Sequence, residues 1–358
     1  MKVLFITRKY PPQTGGMENL SYNLTTKINC LKKIIALRKK QIHLLWFFPY
    51  ALIYSLLIAP RYDIVHLGDP LLSAIGFFIK FFYKKPVAVS IHGLDITYPN
   101  KIYQTYLKIF SFHFDKYICI SKQTMAEAEK RGYKNLTIIP PGVNAEDVSL
   151  SLTKKQAQKK LEEIINNKLK DKSILLTVGR LVRRKGHVWF LKNVFPYLPQ
   201  NCIYLIIGDG PEKEEIETIL KKSSLKKRVF VLGKTTEEVK NIALSASDLF
   251  IMPNIKVRGD MEGFGIVALE AAAAGLAPVA SNLEGISEAI QENKNGVLIP
   301  PEDPGKFKET IANLLKDEKK RKDFARKAKE FTIENYSWAK ISEKYFNNFK
   351  LLIKPISH

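Results

Sequence analysis

Short apolar segments alternate along the whole chain with longer segments of mixed character. In the N-terminal half the apolar segments predict strands at residues 3–7, 62–66, 86–91, 116–120 and 136–139. In the C-terminal half they predict strands at residues 173–178, 203–207, 229–232, 249–252, 277–281 and 296–299. Loops and helical patterns separate the strands, and this alternation is typical of parallel α/β sheets. The pattern therefore predicts two doubly wound domains.

The length of 358 residues also favours two domains. We expect the first domain to cover residues 1–150 and the second to cover residues 151–335. The polar, lysine-rich stretch 145–172 has a helical pattern and is interpreted as the interdomain region. Ligands of such sheets bind beyond the carboxyl ends of the strands, so candidate residues are sought there.

Two glutamates enclose a glycine-rich turn and the start of an apolar helix in the C-terminal half. Glu262 precedes Gly263 and Gly265, a helix is expected from Ile266, and Glu270 lies about one turn inside it. Free amide groups at a helix start favour an anion, whereas a carboxylate suits hydroxyl groups such as those of a ribose or hexose. The alternative is a surface helix with two solvated acids.

A basic loop follows the predicted strand 173–178 and is bounded by two glycines. Within it, Arg180 and Lys185 are suited to holding a diphosphate, because arginine offers a forked contact and lysine a point charge. A solvated basic loop is the alternative. No Asp-x-Asp pair occurs in the chain, so a metal-chelated nucleotide site of that design is not predicted.

Two further candidates belong to the N-terminal half. Gly16 either serves the turn into a helix or lets the backbone approach a ligand. His92 ends a predicted strand and is followed by Gly93, a position that favours function over simple packing.

The charge balance indicates an anionic partner. The chain carries 57 Lys and Arg against 35 Asp and Glu, a formal net charge of +22, which suits nucleotides, phospholipid headgroups or nucleic acid. The chain has three cysteines, Cys30, Cys119 and Cys202. Their odd number argues against a disulfide framework, and their spacing is not that of a metal site, so a reducing cytoplasm fits. The first apolar run is expected to be a strand rather than a signal peptide.

Residues 42–59 form an apolar stretch about as long as a membrane span, preceded by basic residues. It is interpreted as a helix that either packs in a core or lies in a membrane interface beside Trp46. The aromatic residues at 77, 78, 81 and 82 lie next to Lys80, Lys84 and Lys85 and repeat this chemistry. We expect peripheral contact with an anionic membrane at its cytoplasmic face, a lipid-linked or membrane-proximal acceptor, and no nucleic-acid partner.

Taken together, these motifs resemble glycosyltransferase family 4. The resemblance rests on residues 179–186, 208–212 and 262–280, and more loosely on residues 15–16, 65–66, 92–93 and 141–143. It implies a GT-B fold, with two Rossmann-like domains facing a central cleft and a C-terminal helix, about 336–358, that packs back on the first domain. It also implies retaining transfer of a hexose from a UDP- or GDP-linked sugar, without metal or cofactor, in envelope or exopolysaccharide synthesis.

The resemblance assigns roles to individual residues. Arg180 and Lys185 would hold the diphosphate, Glu262 would contact the transferred sugar, and Glu270 would hold the ribose hydroxyls. The donor-binding backbone amides would come from Gly263, Phe264, Gly265 and Ile266. Gly16 would lie near the diphosphate from the opposite domain, and His92 would face the sugar.

The region between residues 27 and 62 departs from the family pattern. Such enzymes usually place a further strand and helix there, so we expect the N-terminal sheet to lack an edge strand. The rival hypothesis outside enzymes is an inactive basic scaffold of the same fold that binds membranes or nucleic acid. Within enzymes, a GT-B epimerase or phosphorylase is the rival, but the spacing of Glu262 and Glu270 disfavours it.

Overall fold

The computed structural model describes residues 1–148 and 152–353 and divides the chain into two compact units. Met1–Gly142 and the segment that begins at Trp338 form the first unit, and Val143–Ser337 form the second. The division therefore falls after Gly142, earlier than the expected boundary between residues 150 and 151, which lies outside the described residues.

The first unit contains a six-stranded parallel sheet with the order β2-β1-β3-β4-β5-β6. Its strands are β1 (Lys2–Thr7), β2 (Leu31–Ala36), β3 (Ile64–Leu67), β4 (Val87–Ile91), β5 (Lys116–Cys119) and β6 (Leu136–Ile138). Every adjacent pair runs parallel, as the alternating pattern predicts.

The expected loss of an edge strand is wrong. Strand β2 pairs with β1 over its whole length, from Lys2 opposite Leu31 to Thr7 opposite Ala36. Its first three residues, including Lys32 and Lys33, are exposed. Lysine is common on edge strands because charge there discourages pairing with another chain, and the same lysines hide the apolar strand signal.

Helices cover this sheet and include the apolar stretch of residues 42–59. They are α1 (Gly16–Lys27), α2 (Leu44–Ile58), α3 (Ser73–Tyr83), α4 (Leu94–Thr97), α5 (Lys101–Phe110) and α6 (Lys122–Lys130). Helix α2 packs against α3 and buries one narrow stripe, Phe47, Ala51 and Ser55, at every fourth residue. The described stretch Gln41–Arg61 is long and apolar enough to cross a membrane by length and composition, and 22% of its apolar 18-residue window is buried.

The second unit contains another six-stranded parallel sheet, with the order β12-β11-β10-β7-β8-β9. Its strands are β7 (Ser173–Val178), β8 (Cys202–Ile207), β9 (Val229–Gly233), β10 (Leu249–Met252), β11 (Ala277–Ser281) and β12 (Val297–Ile299). Its helices are α7 (Ala145–Val148), α8 (Lys154–Ile165), α9 (His187–Asn193), α10 (Lys213–Lys221), α11 (Glu237–Ala246), α12 (Ile266–Ala273), α13 (Ile286–Ala289), α14 (Pro304–Lys316) and α15 (Glu318–Tyr336).

Helix α8 belongs to this second unit rather than to a linker. It packs against α11, and Lys154 and Arg321 both pair with the carboxylate of Asp248, the residue before β10. Its buried Ala157 and Leu161 form the contact stripe. The interpretation of 145–172 as an interdomain region is therefore wrong for the helix, because its apolar stripe is covered by the fold of the second unit.

The last helix, α16 (Trp338–Ile353), packs in the first unit against α1 and β3. Tyr345 and Phe349 are fully buried. Tyr345 approaches the hydroxyl of Ser90 at 3.4 Å, and both aromatic rings contact the ring of His66 on β3. The C-terminal segment thus supplies part of the core of the unit that begins the chain.

Candidate active site

The basic loop after β7 is held by a glycine that packs against backbone. Gly186 has φ +70°, and a Cβ there would lie 1.9 Å from the carbonyl oxygen of Pro253 after β10. The amide of Ile255 donates to the carbonyl of Arg184 at 2.9 Å in the same place. Only glycine fits both constraints, so the loop is joined to the end of β10.

This junction brings Lys185 to Glu262. The Lys185 ammonium lies 2.7 Å from Oε2 of Glu262, and both side chains are largely buried, at 9% and 12% exposure. Nε of the Arg184 guanidinium is 3.5 Å from the same oxygen, and Nη1 of Arg184 contacts Asp260 at 3.0 Å. Two of the predicted residues, Lys185 and Glu262, therefore form one ion pair.

The electrostatics of this pair keep Glu262 ionised. Burial acts to raise the pKa of its carboxyl, but the charges of Lys185 and Arg184 and hydrogen bonds from Lys185 and Asn254 outweigh it. The net result is a pKa below the usual glutamate value. An ionised carboxylate is an acceptor only, and it can take hydrogen bonds from sugar hydroxyls.

Two neighbours of Glu262 were not predicted from the sequence. Asn254 donates to Oε2 of Glu262 at 3.2 Å, is 1% exposed, and its own Oδ1 has no hydrogen-bond partner among the described residues. Glu284, at φ +50°, accepts the backbone amide of Glu262. Burial raises the pKa of Glu284, and the nearby charge of Glu262 adds to that effect. Asn254 could have been predicted from its position just after β10, at the carboxyl end of a strand, where ligands of such sheets bind.

The predicted helix start is present at Ile266, the first residue of α12. Gly265 precedes it at φ +80°, a left-handed conformation that suits glycine, and Phe264 is buried with its ring 6.2 Å from that of Tyr336. The first amide groups of a helix have no acceptor within the helix. The geometry is thus compatible with an anion at Gly263–Ile266.

Glu270 lies inside α12 and faces Lys240 of α11. Their charged atoms are 3.6 Å apart, too far for a good hydrogen bond, while Lys240 also contacts Glu237 at 2.6 Å. Burial raises the pKa of Glu270, opposed by Lys240 and reinforced by Glu237. The carboxylate is 14% exposed and keeps acceptor capacity for hydroxyl groups. Lys240 could not be predicted from the sequence, because nothing in the pattern of α11 indicates that this lysine faces Glu270 of α12.

Arg180 stands apart from the Lys185 and Glu262 pair. It is exposed, and its side chain makes no hydrogen bond or ion pair with the described residues. His187, at the start of α9, is fully buried; burial lowers its pKa to about 4, and the charge of Lys185 contributes. His187 is therefore a neutral packed residue, and Arg180 remains available to a ligand.

His92 and Gly16 belong to the first unit. The amide of His92 donates to Oδ2 of Asp95 at 2.8 Å, and its ring Nε2 lies 2.9 Å from the carbonyl oxygen of Gly68, which fixes the ring. Gly16 is the first residue of α1 and is exposed, and a Cβ there would meet no atom within 4 Å. Packing in the first unit does not require glycine at this position.

Two parallel Rossmann-like sheets, with a carboxylate, a lysine and a helix start at strand ends, define a GT-B glycosyltransferase. Family models agree over most of the chain: Glycosyltransferase Family 4 matches residues 2–147, and Glycosyl transferases group 1 matches residues 158–331. The chain belongs to the family 4 type of GT-B glycosyltransferases.

Similar proteins and a solved structure support this assignment. An uncharacterized glycosyltransferase of Methanocaldococcus jannaschii is 24% identical over 312 residues, covering 82% of this chain and 76% of the relative. The Escherichia coli UDP-Gal:alpha-D-GlcNAc-diphosphoundecaprenol alpha-1,3-galactosyltransferase is 26% identical over 285 residues, covering 74% and 69%. The crystal structure of Anabaena HepE in complex with UDP has the same fold, with a TM-score of 0.79 at 16% identity over 98% of this chain and 100% of that one.

Proposed function

We propose that this glycosyltransferase transfers a hexose, with retention, from a UDP- or GDP-linked sugar to a lipid-linked or membrane-proximal glycan, without a metal ion. The ion pair of Lys185 with Glu262 is the observation that carries this proposal. We assign Lys185 to the leaving diphosphate and the ionised Glu262 to the hydroxyls of the transferred sugar.

The reaction breaks the bond between the anomeric carbon and the diphosphate oxygen and forms one to the acceptor oxygen. Negative charge grows on the departing diphosphate, which Lys185, Arg180 and the amides at Gly263–Ile266 stabilise. The leaving phosphate oxygen takes the proton of the acceptor hydroxyl, so no protein nucleophile is needed. For Gly16 and His92 we propose substrate contact.

Glu270 holds the hydroxyls of the ribose. Lys240 limits the cost of its buried charge but lies at 3.6 Å, which leaves the carboxylate oxygens free to accept. Two hydroxyls of one ribose match the two oxygens of one carboxylate. None of these side chains selects the base, so the donor is a UDP- or a GDP-linked sugar.

The acceptor and location rest on the surface of the first unit. We define the apolar face as the exposed residues Ile42, Leu45, Trp46, Tyr50, Ile53 and Leu57 in and just before α2 together with Phe81 and Phe82 of α3. Exposed Lys39, Lys40 and Lys84 lie in adjoining segments. Apolar and cationic groups together suit peripheral binding to an anionic membrane at its cytoplasmic face.

Nucleotide binding tests the donor site directly. Thermal unfolding is measured with UDP, GDP and ADP for the wild type and for Glu270→Ala, because a ligand that binds only the folded state raises the melting temperature. We expect UDP or GDP to raise it in the wild type and to lose most of that effect in Glu270→Ala.

The control is Glu238→Ala, an exposed residue in the first turn of α11, which should keep the full shift. If none of the nucleotides raises the melting temperature of the wild type, the transferase proposal is refuted. Binding of polyanions that depends on salt alone would then favour the inactive scaffold.

A further inference from the structure

The loop after β11 is fastened to the backbone at Glu262. The amide of Glu262 donates to Oε2 of Glu284 at 2.5 Å, and the amide of Gly285 donates to the carbonyl of Glu262 at 3.3 Å. A Cβ at Gly285 would lie 2.2 Å from the carbonyl oxygen of Gly263, so only glycine permits this approach. The loop therefore reaches the residue that we assign to the transferred sugar.

One carboxylate oxygen of Glu284 is left for a ligand. Its Oε2 accepts the amide of Glu262, but its Oε1 has no hydrogen-bond partner among the described residues and is not a buried atom. No lysine or arginine of the described segments forms an ion pair with this carboxylate, because Arg184 pairs with Asp260 and Glu262 instead. The side chain is half-buried, so a ligand can reach Oε1.

Glu262 shows the same division of its two oxygens. Lys185, Arg184 and Asn254 all approach Oε2, whereas no hydrogen bond or ion pair within residues 1–148 and 152–353 reaches Oε1. The charge of Glu262 is close enough to act on the pKa of Glu284. Two adjoining loops thus present one free acceptor oxygen each, and hydroxyl groups of a sugar ring are matching donors.

The turn alone does not account for a glutamate at position 284. Its φ of +50° is left-handed, where glycine costs least, and a glutamine would accept the same amide without a charge. Burial raises the pKa of Glu284, and the charges of Glu262 and Asp260 add to that effect. A carboxylate that is strained, unpaired and beside another acid points to a ligand, because strain of this kind persists at functional sites.

From this geometry we propose that Glu284 selects the donor sugar: its Oε1 accepts a hydroxyl group of the transferred hexose, and its charge excludes a uronic acid. A uronate would bring its own carboxylate within the width of one sugar ring of two acids, and like charges at that distance repel. This inference deepens the proposed function and rests on it for the position of the sugar. The ligand class is a nucleotide-linked neutral hexose.

Pairs of donors that differ in one group test this selection. UDP-glucose and UDP-glucuronate differ only at the last carbon of the sugar, as do UDP-galactose and UDP-galacturonate. If GDP is the nucleotide that binds, GDP-mannose and GDP-mannuronate take their place. Affinities are measured by calorimetry at pH 8 without an acceptor. We expect the wild type to bind a hexose donor about tenfold more tightly than its uronate, or better. Equal affinities within every pair would overturn the proposal.

Two glutamates that each accept a backbone amide provide matched variants. Glu284→Gln keeps an oxygen for the amide of Glu262 but loses the charge, so it should lower the hexose-to-uronate ratio about fivefold or more. Its affinity for the nucleotide alone should stay within about twofold, because the diphosphate contacts remain. Glu292→Gln is the control, since Glu292 accepts the amide of Leu298 at 2.7 Å in another loop, and it should keep the wild-type ratio.

The nucleotide measured alone lets the two proposals fail separately. If nucleotide binds and the ratio in Glu284→Gln equals that of the wild type, only the role of Glu284 is rejected. An equal loss of affinity for nucleotide, hexose donor and uronate donor would also reject it, because that pattern indicates a structural role. If neither UDP nor GDP binds the wild type, the transferase proposal fails and the role of Glu284 fails with it.

Discussion

The ammonium of Lys185 lies 2.7 Å from the carboxylate of Glu262, although the two residues belong to different loops of the second unit. One follows β7 and the other precedes α12. Each neutralises the other within a largely buried setting, so either alone would be an uncompensated charge. A bound diphosphate would give Lys185 a second partner, and a bound sugar would give Glu262 one. The predictions for Glu262 follow from this ion pair.

Glu262→Gln should lower the turnover number about 100-fold or more, because the amide cannot supply the charge that faces the transferred sugar. Nucleotide-induced stabilisation should persist, since the proposed diphosphate contacts remain. The measurement is donor consumption in parallel with thermal shift. Asp260→Asn, which contacts Arg184 but not Lys185, is the matched control; turnover of Glu262→Gln no lower than that of this control would refute the role.

Ionisation of Glu262 should stabilise the folded state, whereas ionisation of Glu270 should destabilise it. The pKa of Glu262 is lowered in the fold, so its contribution is present above the ordinary value of 4.5 and is lost as pH falls through the lowered pKa. Glu262→Gln should therefore be less stable than wild type at pH 7, by roughly 2 to 4 kcal/mol, and the gap should narrow in acid.

The pKa of Glu270 is raised, so ionising it costs stability as pH rises from 4.5 through the raised pKa. Glu270→Gln should gain stability relative to wild type over that interval while losing nucleotide binding. Urea unfolding between pH 3 and 7.5 checks both variants, because the Glu262 effect falls below pH 4.5 and the Glu270 effect above it. Parallel curves for wild type and both variants would contradict the assigned shifts.

Gly186→Ala should destabilise the second unit more than Gly233→Ala does. Both glycines have φ near +70°, but a Cβ at Gly186 meets Pro253 at 1.9 Å, whereas at Gly233 it meets nothing within 4 Å. Gly233→Ala therefore reports the conformational cost alone, about 1 kcal/mol. Denaturant unfolding measures the difference, and equal losses would show that the loop does not need its contact with Pro253.

Gly16→Ala should keep the melting temperature and lose activity. A methyl group there meets no atom of the first unit within 4 Å, and alanine favours the helix start. A loss of turnover of tenfold or more would therefore come from the substrate rather than from the fold. Thr14→Ala, also exposed in the preceding loop, is the control. Full activity in Gly16→Ala would remove Gly16 from the site.

Trp46 should report membrane binding. It is 76% exposed, whereas Trp338 is 1% exposed and Trp189 packs against the core of the second unit. We expect its fluorescence to shift to shorter wavelength with phosphatidylglycerol vesicles, and the shift to weaken at high salt. Leu45→Ser with Ile53→Ser should reduce vesicle co-sedimentation about tenfold or more. The control Tyr197→Ser, on the second unit, should not change it.

The sequence predicted the strands with continuous apolar runs and the start of α12, because burial on both faces of a parallel sheet leaves a clear local pattern. It did not predict β2, where exposed lysines interrupt that pattern. It identified Lys185 and Glu262 separately by their positions after strands and before a helix. It missed Asn254 although this residue directly follows β10. It could not identify Glu284 or Lys240, because their roles arise from contacts with residues of other segments.

The return of α16 makes the first unit discontinuous in the chain, while the second is one uninterrupted segment. In topological terms, the second unit is an insertion between Gly142 and Trp338. A fragment that stops at Gly142 would expose the surfaces of Phe5 and His66 that Phe349 covers. A truncation that removes part of α16 would therefore destabilise the unit that is synthesised first. That unit cannot complete its core until the last helix has been synthesised.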